Sequence, residues 1–115
     1  MMTSYQNFNF SFVRGDTVTL EIEVFDENNQ PYILTNNTIY FTMKKFPTDT
    51  LALVSKTINN LNDNKIIITL LANETKNLPA GLKEAVYDVR LKTPDNDVVT
   101  ILRGKIQIIE PITIV

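Results

Sequence analysis

The chain has 115 residues, of which 43% are hydrophobic and 21% charged, and it contains no cysteine and no histidine. This composition suits one soluble globular domain over residues 1–115, and it excludes disulfides, cysteine- or histidine-ligated metal, and nucleophilic pairs that need histidine or cysteine. The net charge is −2, and the lysines and arginines are scattered along the chain, so we expect neither nucleic-acid nor membrane binding.

The dominant pattern along the chain is period-two alternation, which is typical of strands with one buried and one wet face. In residues 18–24, for example, Val18, Leu20 and Ile22 point one way while Glu21 and Glu23 point the other. Similar patterns or apolar β-branched runs predict seven strands, at residues 7–13, 17–25, 38–45, 51–58, 65–71, 85–92 and 98–109.

Turn signals separate these strands, and the sequence predicts a single helical turn near residues 73–81, with Asn73 as its N-cap. Seven short strands in about 100 residues favour an all-β fold, an immunoglobulin-like β-sandwich, with a small closed barrel as the main rival. Gly104 lies inside the last strand, where a glycine often marks a bulge or a close backbone approach. The predicted core includes Leu20, Ile22, Phe41, Ile66, Ile68, Val89 and Ile106.

Arg14, Gly15 and Asp16 form the tripeptide that integrins recognise in some extracellular proteins. They lie between two strongly alternating strands, where glycine supplies a positive φ and aspartate accepts backbone hydrogen bonds. The start of the chain shows no signal-peptide pattern, and an adhesion site would need both secretion and an exposed loop tip. We therefore interpret Arg14, Gly15 and Asp16 as a structural turn.

Carboxylates offer the remaining route to catalysis or metal binding. Glu21 and Glu23 lie on one strand face, but it is the polar face, which favours a solvated pair over an acid/base dyad. Calcium could use the Asp/Asn-rich segments 26–30, 62–64 and 95–97, yet the EF-hand pattern fails because Pro31 and Asn37 stand where it requires Gly and Glu. We predict no enzyme activity, no catalytic residues, no bound metal and no cofactor.

Several short motifs in order carry a resemblance: "RGD" opening the first long strand, "FDEN", "IYFTMKK", "LANETKNLPAG", "YDVRL" and "LRGKIQI". They span about nine-tenths of the chain. The chain resembles small immunoglobulin-like structural modules of tailed bacteriophages, similar to the N-terminal domain of phage baseplate upper proteins. The resemblance implies a non-enzymatic virion protein of the tail, baseplate, neck or capsid, made in the bacterial host cytoplasm. Its partners would be other virion proteins or further copies of itself.

A module that binds carbohydrate or a cell surface is the alternative from a different class. Such modules present aromatic side chains on a platform or at loop tips, but this chain has no tryptophan. Five of its ten aromatic residues fall on predicted apolar strand faces: Phe8, Phe10, Phe12, Phe41 and Tyr87.

The final segment, "EPITIV", combines a strand-breaking Pro111 with an apolar, β-forming tail. Two interpretations remain open. The tail folds back onto its own sheet, or it adds a strand to a neighbouring subunit through Ile112, Ile114 and Val115.

Overall fold

The computed structural model describes residues 5–115. The seven predicted strands appear in it with shifts at their ends, and the first of them, residues 7–13, is divided into two. Within this range the chain forms eight strands and one short helix. In chain order they are β1 (Gln6–Asn7), β2 (Phe10–Val13), β3 (Val18–Glu23), β4 (Thr38–Lys44), β5 (Val54–Ile58), β6 (Lys65–Leu70), α1 (Ala72–Lys76), β7 (Glu84–Lys92) and β8 (Val98–Ile109). The all-β prediction is confirmed.

The strands form two sheets that pack around one apolar core. The large sheet has the order β1-β8-β7-β4-β5, and β2 also pairs with β8; the small sheet consists of β3 and β6. Neighbours are antiparallel except that β1 and β2 run parallel to β8. Because the described sheets remain separate and open at their edges, the fold is a sandwich, and the closed-barrel alternative is wrong.

The core follows the alternation, with one exception on β3. Phe41, Ile66, Ile68, Val89 and Ile106 are fully buried, as predicted. Leu20 and Ile22 are only half-buried and pack against the edge of the core, so their prediction as core residues is wrong in degree. The side chains of Leu20 and Ile22 line an open groove that runs between β3, in the two-stranded small sheet, and the β1 edge of the large sheet.

The N-terminal strand is interrupted where it crosses Gly104. A Cβ at Gly104 would collide with the carbonyl oxygen of Phe8, so glycine alone allows this approach. The Tyr87 hydroxyl donates a hydrogen bond of 2.6 Å to the same oxygen, and the Lys105 amide donates one of 2.8 Å to Asn9 Oδ1. The prediction of a close backbone approach at Gly104 is confirmed.

The first of the three phenylalanines in this segment is more exposed than the other two. Phe12 is buried and Phe10 packs against the Tyr87 ring at 5.2 Å between centroids, but Phe8 is 49% exposed. The expected placement of Phe8 on a buried apolar face is therefore wrong in its burial: β1 keeps the register of β2 on β8, but Phe8 lines the open groove beside Leu20 and Ile22.

The pairing directions place the loops at two ends of the sandwich. Loops 24–37, 59–64 and 93–97 lie together at one end, here called the hairpin end. Residues 14–17, 45–53, 71–83 and 110–115 lie at the opposite end, here called the helix end.

Candidate functional site

The Arg-Gly-Asp segment is a tight turn that carries the chain from the large sheet to the small one. The Asp16 amide donates a hydrogen bond of 3.0 Å to the Val13 carbonyl, which closes a four-residue turn. Gly15 has φ +92°, in the region that side-chain-bearing residues rarely adopt. Its backbone therefore has the positive φ that the turn interpretation requires.

Arg14 is engaged within the fold and does not project from a loop tip. Its side chain is 11% exposed, and its Nε lies 2.9 Å from Glu110 Oε1. Its Nη1 donates to the Leu78 carbonyl at 2.7 Å, and its Nη2 donates to the carbonyls of Pro79 at 3.0 Å and Leu82 at 3.3 Å. The guanidinium thus pins the loop after α1 to the turn, which supports a structural role for the triplet.

Thr75 makes the second connection between the turn and α1. Its side chain is fully buried. The hydroxyl accepts a hydrogen bond of 3.0 Å from the Gly15 amide and donates one of 2.8 Å to the Asp16 carbonyl. The motifs "RGD" and "ETKNLPAG", which are far apart in sequence, therefore form one hydrogen-bonded unit at the helix end.

The helix begins earlier than predicted. Leu71, not Asn73, is the N-cap, and Asn73 lies within the helix. Leucine has no side-chain oxygen to offer, but Glu74 reaches back so that its Oε1 accepts a hydrogen bond of 2.9 Å from the Leu71 amide. This satisfies one of the free amides of the first turn, so an Asn cap is not needed.

Glu74 also closes the side of the sandwich next to β5. Lys56 Nζ lies 2.6 Å from Glu74 Oε1, and both side chains are partly buried. The Lys56 hydrogen bond, followed by that from the Leu71 amide, lowers the pKa of Glu74 below its usual value.

The other carboxylates singled out in the sequence have ordinary structural surroundings. Glu21 lies on the exposed face of β3 and forms an ion pair of 3.0 Å with Lys65, which raises the pKa of Lys65. Asp26 Oδ1 accepts the amides of Asn28 at 2.9 Å and Gln30 at 3.0 Å, as in an Asx turn. Among residues 5–115 no group of three or more acidic side chains is arranged to hold a metal ion.

The C-terminal tail leaves the sandwich at the helix end. β8 ends at Ile109, and the segment beyond it forms no strand. Ile112, Ile114 and Val115 have relative exposures of 102%, 74% and 105%. The interpretation that the tail folds back onto its own sheet is therefore wrong, and its apolar side chains stand in solvent.

A second surface feature is a cleft on the outer face of the large sheet, here called the outer-face cleft. It has a volume of about 1020 Å³ and lies between the 45–47 loop, the 79–83 loop and the strands β1, β7 and β8. Its charged lining residues are Lys45, Lys83, Glu84, Arg103 and Lys105.

Sequence reasoning missed this cleft because its four cations come from three separate segments of the chain. The alternation of β8 does place Arg103 and Lys105 on one face, which was an available signal. The approach of Lys45 and Lys83 depends on the register of β4, β7 and β8, which the sequence does not display.

Some aromatic side chains are buried in the core, and two others line this cleft. Phe12, Phe41 and Tyr87 are buried, in line with the predicted apolar faces. Tyr5 and Phe46, in contrast, line the outer-face cleft and are about half exposed.

Comparisons with protein-family models and with curated proteins give no match to this chain. Among the described residues, no helix is long and apolar enough to cross a membrane. Two surface features of the described chain are therefore candidates for a functional contact: the C-terminal tail and the outer-face cleft.

Proposed function

We propose that this chain is a non-enzymatic structural protein of a tailed-bacteriophage particle, in the tail, baseplate, neck or capsid, and that it acts through protein–protein contacts. The observation that carries the proposal is the exposed apolar tail formed by Ile112, Ile114 and Val115. Soluble proteins tend to cover or pair such β-forming apolar segments, so the tail is a segment prepared for a partner.

The contact works by strand addition. An extended tail pairs its main chain with the free edge of a partner's sheet, and alternate side chains enter pockets on that partner. Ile112 and Ile114 are two residues apart and would enter the same face of the partner. Full burial of each aliphatic side chain contributes about 1.5–3 kcal/mol, which is offset in part by the ordering of the tail.

The hydrogen-bonded unit at the helix end supports the link to the phage modules. In the resemblance, the Arg-Gly-Asp triplet and the "E-T-x-x-L-P-A-G" motif occur together. Here Arg14 binds the Leu78 and Pro79 carbonyls, while Thr75 binds Gly15 and Asp16. The two motifs depend on each other structurally, which explains why a family of such domains would keep both.

A carbohydrate- or cell-surface-binding module is the second candidate function. It is favoured by the two exposed aromatic side chains at the outer-face cleft, Tyr5 and Phe46. A sugar would stack on these rings, and binding to a glycan panel would fall in a Tyr5→Ala, Phe46→Ala double variant.

Phage particles from a lysate of the source bacterium test the main proposal. The particles are purified on a density gradient and their proteins are identified by mass spectrometry. The chain should co-purify with tail or capsid proteins at a fixed copy number and resist removal by a salt wash. Its recovery only in the particle-free fractions would contradict the proposal, and glycan binding that depends on Tyr5 and Phe46 would then favour the second candidate.

A further inference from the structure

The outer-face cleft carries a positive charge that the rest of the chain does not share. Its lining includes the four cations Lys45, Lys83, Arg103 and Lys105, but only one carboxylate, Glu84, in a chain of net charge −2. The cleft therefore attracts a negatively charged partner by local concentration of charge.

Among residues 5–115, the four cations of the cleft form no ion pair. The cations that do form ion pairs there are Arg14, Lys56 and Lys65. Arg103 instead lies 5.4 Å from the centre of the Tyr5 ring, and Lys45 lies 5.5 Å from that of Phe46. The aromatic rings hold these cations in place but leave their charge available to a ligand.

The hairpin end has the opposite character. Its three loops, 24–37, 59–64 and 93–97, contain five carboxylates and no lysine or arginine. The carboxylates are Asp26, Glu27, Asp63, Asp95 and Asp97. The nearest cations in the sequence lie at strand ends, and one of them, Lys65, already pairs with Glu21. The loops of the hairpin end and the lining of the outer-face cleft thus differ in the sign of their charge.

Within the hairpin end, the 93–97 loop forms a tip, here called the 93–97 tip, that internal hydrogen bonds hold in one conformation. The Thr93 amide donates to the Asp97 carbonyl at 2.8 Å, and the Asn96 amide donates to the Thr93 carbonyl at 2.9 Å. Thr93 Oγ1 accepts the Asp97 amide at 3.1 Å. Asp95 and Asp97 are exposed on this hydrogen-bonded tip, so little conformational freedom remains to be lost on binding.

A copy cannot place its own tip in its own cleft. Val86 in the cleft and Lys92 at the base of the tip belong to the same strand, six residues apart, which corresponds to roughly 20 Å of rigid strand. That separation exceeds the Debye length of about 10 Å at 0.1 M salt, so the two charges do not cancel within one molecule.

We propose that the Asp95–Asp97 tip of one copy docks into the outer-face cleft of a second copy, with the carboxylates facing Lys83, Arg103 and Lys105. The contact is heterologous, since each copy uses one surface as donor and a different surface as acceptor. Repeated contacts of this kind close into a ring or continue as a filament. The inference adds a homotypic partner to the proposed structural role, on which its biological meaning rests.

The contact is tested by measuring the self-association of the purified full-length chain in sedimentation velocity experiments. Two single-sided variants are compared with it, each with reversed charges on only one of the two surfaces. The cleft variant carries Arg103→Glu and Lys105→Glu, and the tip variant carries Asp95→Lys and Asp97→Lys. Both sets of side chains are exposed or half-exposed, so circular dichroism should show an unchanged fold. Matched controls are Lys76→Glu and Glu23→Lys, which reverse exposed charges outside both surfaces.

The unmodified chain should self-associate in a concentration-dependent way, and each single-sided variant should do so about tenfold more weakly or not at all. Mixing the two variants should restore association, because the acidic tip of the cleft variant fits the basic cleft of the tip variant. Raising the salt from about 0.1 M to about 1 M, which shortens the Debye length to about 3 Å, should dissociate the complex.

Three results would overturn the proposal: a monomeric unmodified chain at every concentration, association that both variants retain, or a mixture that stays monomeric. Binding of a polyanion such as heparin to the cleft, in a chain that shows no self-association, would assign the cleft to a soluble anionic ligand. These outcomes are independent of whether the chain is found in phage particles, so failure of the contact and failure of the virion role are told apart.

Discussion

The side chain of Thr75, in α1, closes the turn at Gly15: its hydroxyl accepts a hydrogen bond of 3.0 Å from the Gly15 amide. The same oxygen donates to the Asp16 carbonyl at 2.8 Å, and Thr75 is fully buried. A single hydroxyl thus satisfies two main-chain groups that have no strand partner. This relationship makes α1 a support for the turn, although the helix has only five residues.

Replacing Thr75 by valine should destabilise the protein by about 1–3 kcal/mol, because the Gly15 amide and the Asp16 carbonyl lose their partner while the shape of the side chain is kept. Urea denaturation measures the change. Thr75→Ser, which keeps the hydroxyl and removes a methyl group, is the matched control and should retain the hydrogen bonds. Equal losses in both variants would show that packing of the methyl group, and not the hydroxyl, is what matters.

Gly15→Ala should lower the free energy of unfolding by roughly 1 kcal/mol or more, because alanine is strained at φ +92° even though no atom lies within 4 Å of its Cβ. Asp16→Glu keeps the charge and should leave stability and any partner binding unchanged, although it would abolish recognition by integrins. A silent Gly15→Ala together with loss of a binding activity in Asp16→Glu would instead favour an adhesive role for the triplet.

The two strands of the small sheet, β3 and β6, should respond unequally to loss of apolar side chains. Ile68→Ala should cost about 2–5 kcal/mol, because Ile68 is 1% exposed and leaves a cavity. Ile22→Ala removes the same atoms from a half-buried site on β3 and should cost clearly less. Chemical denaturation of both variants gives the comparison, and equal costs would mean that the β3 groove is closed in solution.

Stability should fall in acid partly through Glu74. Its pKa is lowered in the folded protein from an unfolded value of 4.5, so its stabilising contribution is present above pH 4.5 and is lost as the pH falls through the lower folded pKa. The unmodified chain should therefore lose more stability than Glu74→Gln as the pH is lowered from 6 into the acid range. The difference between their free energies of unfolding should shrink by about 1 kcal/mol or less. Glu23→Gln, at an exposed position away from Lys56, is the matched control: a change of the same size in this variant would assign the effect to net charge and not to the Lys56–Glu74 pair.

Deleting residues 112–115 tests the tail as a strand donor. The tail makes no strand within its own copy, so the melting temperature should stay the same while any tail-dependent oligomer disappears in light scattering. Ile112→Ser and Ile114→Ser together should reproduce the loss, since these residues supply the apolar contact. A lower melting temperature without a change in mass would show that the tail packs on its own sandwich in solution.

Strand positions, the Gly15 turn and the glycine crossing at Gly104 could all be predicted from the sequence, because each depends on local chemistry. Period-two alternation depends only on residues that are close together in the sequence. A positive φ favours glycine at a single position, and the missing side chain of a glycine permits a close backbone approach wherever the partner segment lies. The free tail could be described only in part, since its apolar, strand-breaking sequence was equally compatible with an intramolecular and an intermolecular strand.

Only the tertiary structure decided which residues meet. Arg14 and Leu78 are 64 positions apart, and no local sequence pattern predicts that the Arg14 guanidinium donates a hydrogen bond to the Leu78 carbonyl. Leu20 and Ile22 alternate as cleanly as their cross-strand partners Ile68 and Ile66. Only Ile66 and Ile68 are fully buried, because Leu20 and Ile22 border a groove that the rest of the fold leaves open. The four cations of the outer-face cleft were scattered in sequence and converge through strand register, which is a non-local property of the folded sheets.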